Sequence, residues 1–178
     1  PQPDGSVELF FAVRWQAPNE ATLTMTKASG HYKITEHTDK PLGRDDFSIM
    51  AQQVWYVSPS GDVTLRSSLS SSKPALPLGR LGYEFVLPQR FDRYTYYGRG
   101  PVNNYADRKS GQFVGKYQSR AADQFIHFPK PQTMANREDV RWVSLRDVAG
   151  KGLLFVTDSV MTSSALPWSA LDLMLAPH

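Results

Sequence analysis

Short runs in which apolar and polar residues alternate recur along the chain, and they restrict it to folds built from β-strands. In the clearest run, residues 7–15, apolar side chains occupy every odd position, and Phe10 is the one large apolar residue on the other face. A period of two is typical of a half-buried strand, because successive side chains point to opposite faces. Shorter apolar-rich runs predict strands at residues 23–25, 32–34, 54–57, 63–65, 81–87, 140–145 and 153–156.

Turn sequences separate these runs. The sequences SPSGD at residues 58–62 and DVAGKG at residues 147–152 combine Gly with Asp between two strands, which predicts hairpins. Residues 28–46 are polar and predict mostly loop. Only residues 169–175 favour a helix, with a serine as the cap and Asp172 at the third helical position. The expected fold class is therefore all-β and antiparallel.

Composition excludes several classes of function. A chain of 178 residues predicts a single domain over residues 1–178. Lys and Arg number 20 against 17 Asp and Glu, and their dispersal along the chain argues against a nucleic-acid or membrane partner. The absence of cysteine excludes disulfides and thiolate chemistry. The sequence opens PQPDG, without Met or a signal peptide, so we expect an excised or processed segment.

Two stretches fit no strand or helix pattern. The first, YYGRGPVNNYADR at residues 96–108, contains three tyrosines, two glycines, two asparagines and two arginines in thirteen positions. The second is HFPKPQTMANREDVRW at residues 127–142. Gly98 and Gly100 are expected to allow backbone angles that other residues avoid, and Pro101 to fix a turn.

Together the two stretches resemble the paired signatures of the C-terminal, small-chain domain of bacterial β-galactosidases of glycoside hydrolase family 2. Those signatures run approximately W-Y-G-x-G-P-x-E-N-Y-x-D-R and P-Q-E-x-G-N-x-x-x-V-R-W. The resemblance covers most of residues 50–178, whereas residues 1–50 match weakly. The signature positions are Gly98, Arg99, Gly100, Pro101, Asn104, Tyr105, Asp107, Arg108, Pro131, Gln132, Asn136, Arg141 and Trp142.

The resemblance implies a galactose-mutarotase-like antiparallel supersandwich, complete or partial, within a larger enzyme. Its expected partners are the remaining domains of that enzyme and carbohydrate, and homo-oligomerisation is left open. It implies no cofactor in this segment, although the parent enzyme could use Mg or Na. The compartment is not determined by the sequence, and the bacterial cytoplasm and periplasm are both compatible with the resemblance. The chain departs from the family pattern at Asn103 and Thr133, where glutamate is usual, and at Ala135, where glycine is usual.

No catalytic residue is expected in this segment. In the resembling family both catalytic glutamates lie on a barrel, and 178 residues without alternating strands and helices are too few to form one. Glu84 interrupts an alternating strand and is expected to face solvent. Glu138 and Asp139 are expected to be surface charges.

The remaining charged signature residues Arg99, Asp107, Arg108 and Arg141 are expected to pair with one another and pin the loop to the sheet. Recognition of sugar hydroxyls is the alternative for them.

Histidines and aromatic residues offer the candidate ligand contacts. His127, beside the second signature, and Trp168, after a Leu-Pro pair, are the candidate sugar contacts. His31 and His37 are expected in loop without the spacing of metal ligands. The alternating tyrosines 94 and 96 are expected in the core, although a stacking role on a sugar ring is the alternative for the signature tyrosines.

Three functions remain open from the sequence. The first is a non-catalytic C-terminal domain that supports the barrel and the active-site wall during hydrolysis of terminal β-galactosides. The second is a stand-alone carbohydrate-binding sandwich, and the third is a relative of the aldose epimerases with a histidine acid and a glutamate base. If the chain is a fragment of the family domain, residues 7–15 are expected to form an exposed edge strand that favours self-association, whereas a strict monomer would favour the carbohydrate-binding sandwich.

Overall fold

A computed structural model describes residues 2–17, 22–28, 31–37, 47–75, 80–128, 133–169 and 172–173. Every strand pairing in this part of the chain is antiparallel. The strands are β1 (Val7–Ala17), β2 (Thr22–Ala28), β3 (His31–His37), β4 (Phe47–Val57), β5 (Val63–Ser71), β6 (Arg93–Gly100), β7 (Phe113–Arg120), β8 (Arg137–Arg146) and β9 (Gly152–Ser163), and Ala122–Gln124 form a single turn of 3-10 helix.

The chain divides into two compact units, Pro1–Gly82 and Tyr83–His178. This division does not test the prediction of a single domain over residues 1–178, which stays a prediction.

The first unit contains a three-stranded sheet of order β1-β4-β5 and a two-stranded sheet of β2 and β3. In the β4–β5 turn the backbone N–H of Ser58 donates to the carbonyl of Asp62 at 2.9 Å, which closes the predicted hairpin. Among the described strands, β1 pairs with β4 alone and forms the edge of its sheet. One face of this sheet carries an apolar groove lined by Leu9, Phe11, Val13, Gln53, Trp55 and Val57.

The second unit is built on a four-stranded sheet of order β7-β6-β8-β9. Alternation along β6 buries the rings of Tyr94 and Tyr96, which stack with centroids 5.1 Å apart. These rings pack with Val140, Val143 and Ala165 in the larger core cluster of the unit. The prediction that tyrosines 94 and 96 belong to the core is confirmed. A smaller cluster forms around Met134, Ala135 and Leu173.

The all-β, antiparallel fold class is confirmed, and so are both hairpins. The prediction of a strand at residues 81–87 is wrong: this segment pairs with no strand in the part of the chain that the structure describes. Its apolar side chains are mostly exposed, and Phe85 packs on Phe155 with ring centroids 5.0 Å apart. Residues 31–37 form a full strand where a shorter one was predicted, and β7 was not predicted at all.

The expected helix at residues 169–175 lies only partly in the described residues. Residues 172–173 are helical, and the backbone N–H of Asp172 donates to the Ser169 hydroxyl at 3.1 Å, as a cap requires. No helix in the described residues has the length and apolar character to cross a membrane.

Candidate functional site

The two signature stretches meet at a pair of asparagines. The backbone N–H of Asn104 donates to the carbonyl of Asn136 at 2.9 Å. In return, Nδ2 of Asn136 donates to the carbonyl of Asn104 at 2.8 Å. The second signature is held further by Tyr105, whose hydroxyl donates to the Thr133 carbonyl at 2.8 Å. We call this contact between the two stretches the signature junction, residues 96–112 and 133–142.

The fully buried side chain of Asn104 is the centre of the junction. Its Nδ2 donates to the carbonyls of Arg99 and Val102 at 3.0 and 2.9 Å, and its Oδ1 accepts the backbone N–H of Glu138 at 2.9 Å. A buried amide in irregular backbone is stable only when its donors and acceptor are all matched, as they are here. Asn104 therefore replaces the ladder hydrogen bonds that a regular strand would supply.

Asp139 is the carboxylate that pins the first signature to β8. Its Oδ2 accepts a hydrogen bond from Nε of Arg99, and its Oδ1 lies 3.0 Å from Nζ of Lys109. The Arg99 guanidinium also donates to the carbonyl of Gln112 at 2.8 Å. The hydrogen bond from Arg99, followed by that from Lys109, lowers the pKa of Asp139 below its ordinary value. Asp139 is thus a partly exposed charge, but its pairing with both cations was not predicted, and it follows from an irregularity in β8 that turns this residue towards them.

The backbone of β8 explains this orientation. The pairing register of β8 with β9 shifts between Arg137 and Val140, and Asp139 has a φ of 53°. A β-bulge of this kind leaves a residue unpaired and redirects its side chain. Aspartate is one of the few residues that adopt a positive φ readily.

Asp107 does not have the role expected of it. Its side chain is exposed and makes no hydrogen bond or ion pair with any residue that the structure describes. The neighbouring Arg108 is also exposed and lies over the Tyr105 ring, with its guanidinium carbon 4.7 Å from the centroid. The predicted pairing of Asp107 with a signature arginine is therefore wrong, and Asp139 takes that place for Arg99.

The other signature residues lie around the junction. The Arg141 guanidinium donates to the carbonyl of Asp139 at 2.5 Å and lies over the Tyr97 ring. Trp142 pairs with Tyr97 across β6 and β8 and is partly exposed. The exposed Pro101 follows a cis peptide bond. Residues 131 and 132, which include the signature Pro and Gln, lie outside the described residues.

The signature glycines are required by close packing. A Cβ on Gly98 would lie 2.7 Å from Cγ2 of Val140, and one on Gly100 would lie 2.7 Å from a ring carbon of Tyr117. Neither glycine has a positive φ, so the expectation of unusual backbone angles is wrong for both. The residue that does have a left-handed conformation is Ala135, with a φ of 64°, at a position where the resembling family usually has glycine.

Arg137 is a buried residue that the sequence interpretation missed. Only 4% of it is exposed. Its Nε donates to the Tyr96 hydroxyl at 2.8 Å, and its other nitrogens donate to Oε1 of Gln124 and to the Asn136 carbonyl. No strand pattern distinguishes this arginine from the charged residues beside it, so the sequence held no signal for its burial.

The tyrosines beside Arg137 have perturbed acidity. Burial raises the pKa of Tyr94 to about 12 and also raises the pKa of Tyr96, while the Arg137 charge opposes both shifts. Both hydroxyls therefore stay protonated and act as hydrogen-bonding groups of the core.

The two candidate sugar contacts lie on one aromatic cluster. His127 and Trp168 each pack edge-on against Phe125, with ring centroids 4.8 and 5.0 Å from it. All three residues are exposed. Phe125 was not predicted, and it is the residue that connects the other two. No hydrogen bond or ion pair joins His127 to a carboxylate in the described part of the chain, so the aldose epimerase alternative gains no support.

The structure also gives the positions of three further candidates, Glu84, His31 and His37. Glu84 is exposed, as expected. His31 and His37 are the first and last residues of β3, so the prediction that they lie in loop is wrong. Among the described residues, no three His, Asp or Glu side chains are grouped so that they could hold a metal ion.

The antiparallel sheets and the interlocked signatures place the chain in the class of all-β modules that resemble the C-terminal domain of glycoside hydrolases. The family model described as "Beta galactosidase small chain" matches residues 8–178, and the chain belongs to this family. The match includes residues 8–50, a region in which the resemblance read from the sequence was weak.

Curated relatives agree with this assignment. The chain is 31% identical over 118 residues to a β-galactosidase of Priestia megaterium, and 34% identical over 123 residues to one of Lactobacillus delbrueckii subsp. bulgaricus. It is 27% identical over 154 residues to a β-galactosidase of Halalkalibacterium halodurans. These matches cover 66%, 68% and 83% of the chain, but only 11%, 12% and 14% of the relatives. The chain thus corresponds to a small part of much longer proteins.

Proposed function

We propose that the chain is a non-catalytic segment of a β-galactosidase-like glycoside hydrolase, in which it supports the catalytic barrel and the active-site wall during hydrolysis of terminal β-galactosides. The observation that carries this proposal is the signature junction. Its polar side chains bind other parts of the same chain, so the motif acts to fix the shape of an irregular loop.

The ionisation of Asp139 and the hydrogen bond accepted by Glu138 support a structural role for these two junction carboxylates. Glycoside hydrolysis by two carboxylates requires one that stays protonated at working pH, through a raised pKa. The pKa of Asp139 is instead lowered by Arg99 and Lys109. Oε1 of Glu138 accepts a hydrogen bond from Nδ2 of Asn136 at 2.8 Å. Both carboxylates, at the start of β8, act as acceptors for other side chains of the junction.

The exposed signature residues provide the surface for the remaining domains. Asp107 and Arg108 stand side by side at the surface, on a loop that Asn104 and Tyr105 hold in place. A rigid loop that presents one carboxylate and one guanidinium suits a specific polar contact with another domain.

Two measurements test the proposal. The chain alone should not hydrolyse a chromogenic β-galactoside, and turnover that persists through stringent purification would contradict it. Residues 8–178 should also replace the matching segment of the Priestia megaterium β-galactosidase in a chimera and support its activity. In that chimera Asp107→Ala should lower activity without changing the melting temperature, whereas Asp158→Ala, at another exposed carboxylate, should change neither.

A second candidate function, carbohydrate binding, is favoured by the aromatic cluster of Phe125, His127 and Trp168. Exposed rings with a polar histidine edge suit the apolar face and the hydroxyls of a pyranose. Titration of the chain with galactose and lactose should quench tryptophan fluorescence, and Trp168→Ala should abolish the response. Trp15→Ala, at a similarly exposed tryptophan of the first unit, should retain it. A response that survives Trp168→Ala would remove the cluster as the binding site.

A further inference from the structure

Three arginines stand opposite one another across the four-stranded sheet of the second unit. Arg93 of β6 pairs with Arg120 of β7 on one side and with Arg146 of β8 on the other. Residues directly opposite in an antiparallel pair point to the same face, so the three guanidinium groups share one row. Like charges in such positions destabilise a sheet.

Only one of these arginines is neutralised. The Arg120 guanidinium donates to Oδ2 of Asp92 through Nε at 2.8 Å. Arg93 and Arg146 are exposed and make no hydrogen bond or ion pair with residues in the described ranges. Asp147 lies beside them, but its Oδ1 accepts two backbone N–H groups of its own turn, at 2.9 Å each. These hydrogen bonds hold the carboxylate in its own turn but leave it charged, so Arg93 and Arg146 together exceed the nearby negative charge of Asp147.

The same face continues into a polar groove of ≈ 320 Å³. Among the described residues, Lys116 of β7 provides a third unpaired cation. It lies opposite Tyr97, four residues along β6 from Arg93, so its row is roughly 13 Å from the arginine row at the usual rise of a strand. Neutral groups, the Trp142 ring and the Asp147 carboxylate lie between and beside the cations, and the positive charges of Arg93, Lys116 and Arg146 outnumber that one negative charge. The lining residues used here are Arg93, Thr95, Lys116, Gln118, Trp142 and Arg146.

We propose that this groove binds an acidic oligosaccharide through its carboxylate or sulfate groups. Guanidinium groups form paired, planar hydrogen bonds with such oxyanions, and an anion between Arg93 and Arg146 would turn their mutual repulsion into attraction. Thr95 and Gln118 both donate and accept hydrogen bonds, as sugar hydroxyls do. The Trp142 ring supplies a surface for the apolar face of a sugar.

An acidic peptide fits the groove less well. Its carboxylates are acceptors only, so the acceptor atoms of Thr95 and Gln118 could be used only by its backbone N–H groups, and an acidic side chain offers no apolar ring face to Trp142. The two separated cationic positions also suit a ligand with acid groups on more than one sugar. Of the lining residues used here the groove shares only Trp142 with the signature junction, and this inference does not depend on the proposed function.

Calorimetric titration of the 178-residue chain tests the proposal with four probes: the trisaccharide of galacturonic acid, a sulfated galactose trisaccharide, the neutral galactose trisaccharide and pentaglutamate. At least one acidic saccharide should bind more tightly than the neutral saccharide and pentaglutamate, and the stronger of the two identifies the oxyanion. Its Kd should rise with salt. Arg93→Gln and Arg146→Gln should each raise the Kd about tenfold, the usual effect of losing one charged hydrogen bond.

The variants distinguish a site from general charge. Arg93→Gln removes a like-charge contact, so the melting temperature of this variant should not fall. A loss of binding in this variant would therefore not result from unfolding. Arg66→Gln, an exposed arginine of β5, makes the same charge change outside the groove and should leave the Kd unchanged. The proposal would be overturned by any of four results. These are an equal rise in Kd from Arg66→Gln, equal binding of the neutral saccharide, tighter binding of pentaglutamate, and no binding of either acidic saccharide.

Discussion

The signature junction and the sheet of β1, β4 and β5 are stabilised in different ways. In the junction the backbone is irregular, and side chains such as Asn104 and Asp139 provide its hydrogen bonds. In the three-stranded sheet the backbone is regular and bonds to itself, while large apolar side chains remain exposed: Phe10 is 72% exposed and Trp15 is 48% exposed.

This difference determines what one substitution can do in each region. Ladder hydrogen bonds belong to the backbone and survive a change of side chain, whereas each junction side chain has particular partners that are left unpaired without it. We therefore expect junction substitutions to change folding stability, and substitutions of exposed side chains in the three-stranded sheet to change association more than stability.

Asn104→Ala should have the largest effect. It leaves the carbonyls of Arg99 and Val102 and the N–H of Glu138 without a partner in a buried site, which should lower the free energy of unfolding by about 3 kcal/mol. Denaturant titration followed by circular dichroism measures this loss.

The adjacent Asn103 provides a matched control. Its buried Nδ2 has no hydrogen-bond partner in the described structure. Asn103→Ala should therefore cost less than about 1 kcal/mol. Equal losses from the two asparagines would show that the loop depends on its general packing and not on the hydrogen bonds of Asn104.

Asp139→Asn should have the next largest effect. It keeps a residue that accepts a positive φ but removes the charge that binds Arg99 and Lys109, so the loss should be about 1–3 kcal/mol at neutral pH. Because the pKa of Asp139 is lowered in the folded chain, the stability it provides is complete above the unfolded pKa and disappears as the pH falls through the folded value.

Thermal melts across pH measure this dependence. The difference in melting temperature between the wild type and Asp139→Asn should be constant from pH 8 to about 5 and shrink below about pH 4. Asp107→Asn, at the exposed and unpaired signature aspartate, should match the wild type throughout. A difference that persists unchanged to pH 3 would mean that Asp139 acts through packing and not through charge.

The sequence was sufficient to predict regular structure but not the partners of individual side chains. Alternation revealed β1, because a period of two follows directly from strand geometry, and apolar runs beside turn sequences revealed parts of β4 and β8. The same pattern gave a false strand at residues 81–87, where no described strand pairs with it. Strand β7 was missed because its side chains are only partly buried, which leaves no clear apolar face.

The junction was located by its unusual composition, but its pairings were misassigned. Asp107 is adjacent to an arginine in sequence and was given the structural role that belongs to Asp139. The bulge in β8 and the burial of Arg137 depend on contacts between residues about 30 to 40 positions apart, which no local pattern encodes.

The exposed edge of β1 should produce a modest, concentration-dependent association. Among the described strands β1 pairs on one side alone, so its other edge offers free N–H and C=O groups, and β1 has neither Lys nor Pro to block it. Sedimentation of the wild type over a wide concentration range should show dimers or larger species, and Phe10→Lys should shift them to monomer. Val86→Lys, at an exposed apolar residue outside any described strand, should not. A wild type that stays monomeric at high concentration would contradict the prediction.

The smallest expected effect compares two fully buried alanines, one in each region. Ala135 in the junction has a φ of 64°, whereas Ala51 lies in the regular strand β4. Relief of a left-handed conformation is worth about 1–2 kcal/mol, and the greater freedom of glycine in the unfolded chain and the lost methyl group offset most of it. Ala135→Gly should therefore raise the free energy of unfolding by about 0.5 kcal/mol.

Ala51→Gly gains no such relief and should lower the free energy of unfolding by about 1–2 kcal/mol, through added chain freedom and a lost buried methyl. Parallel denaturant titrations of the two variants measure both changes. Opposite signs would show that the junction contains backbone strain that the regular sheet lacks. If Ala135→Gly is as destabilising as Ala51→Gly, the packing of the Ala135 methyl group with Met134 and Leu173 outweighs the strain, and the junction is held by its apolar contacts as well as by its hydrogen bonds.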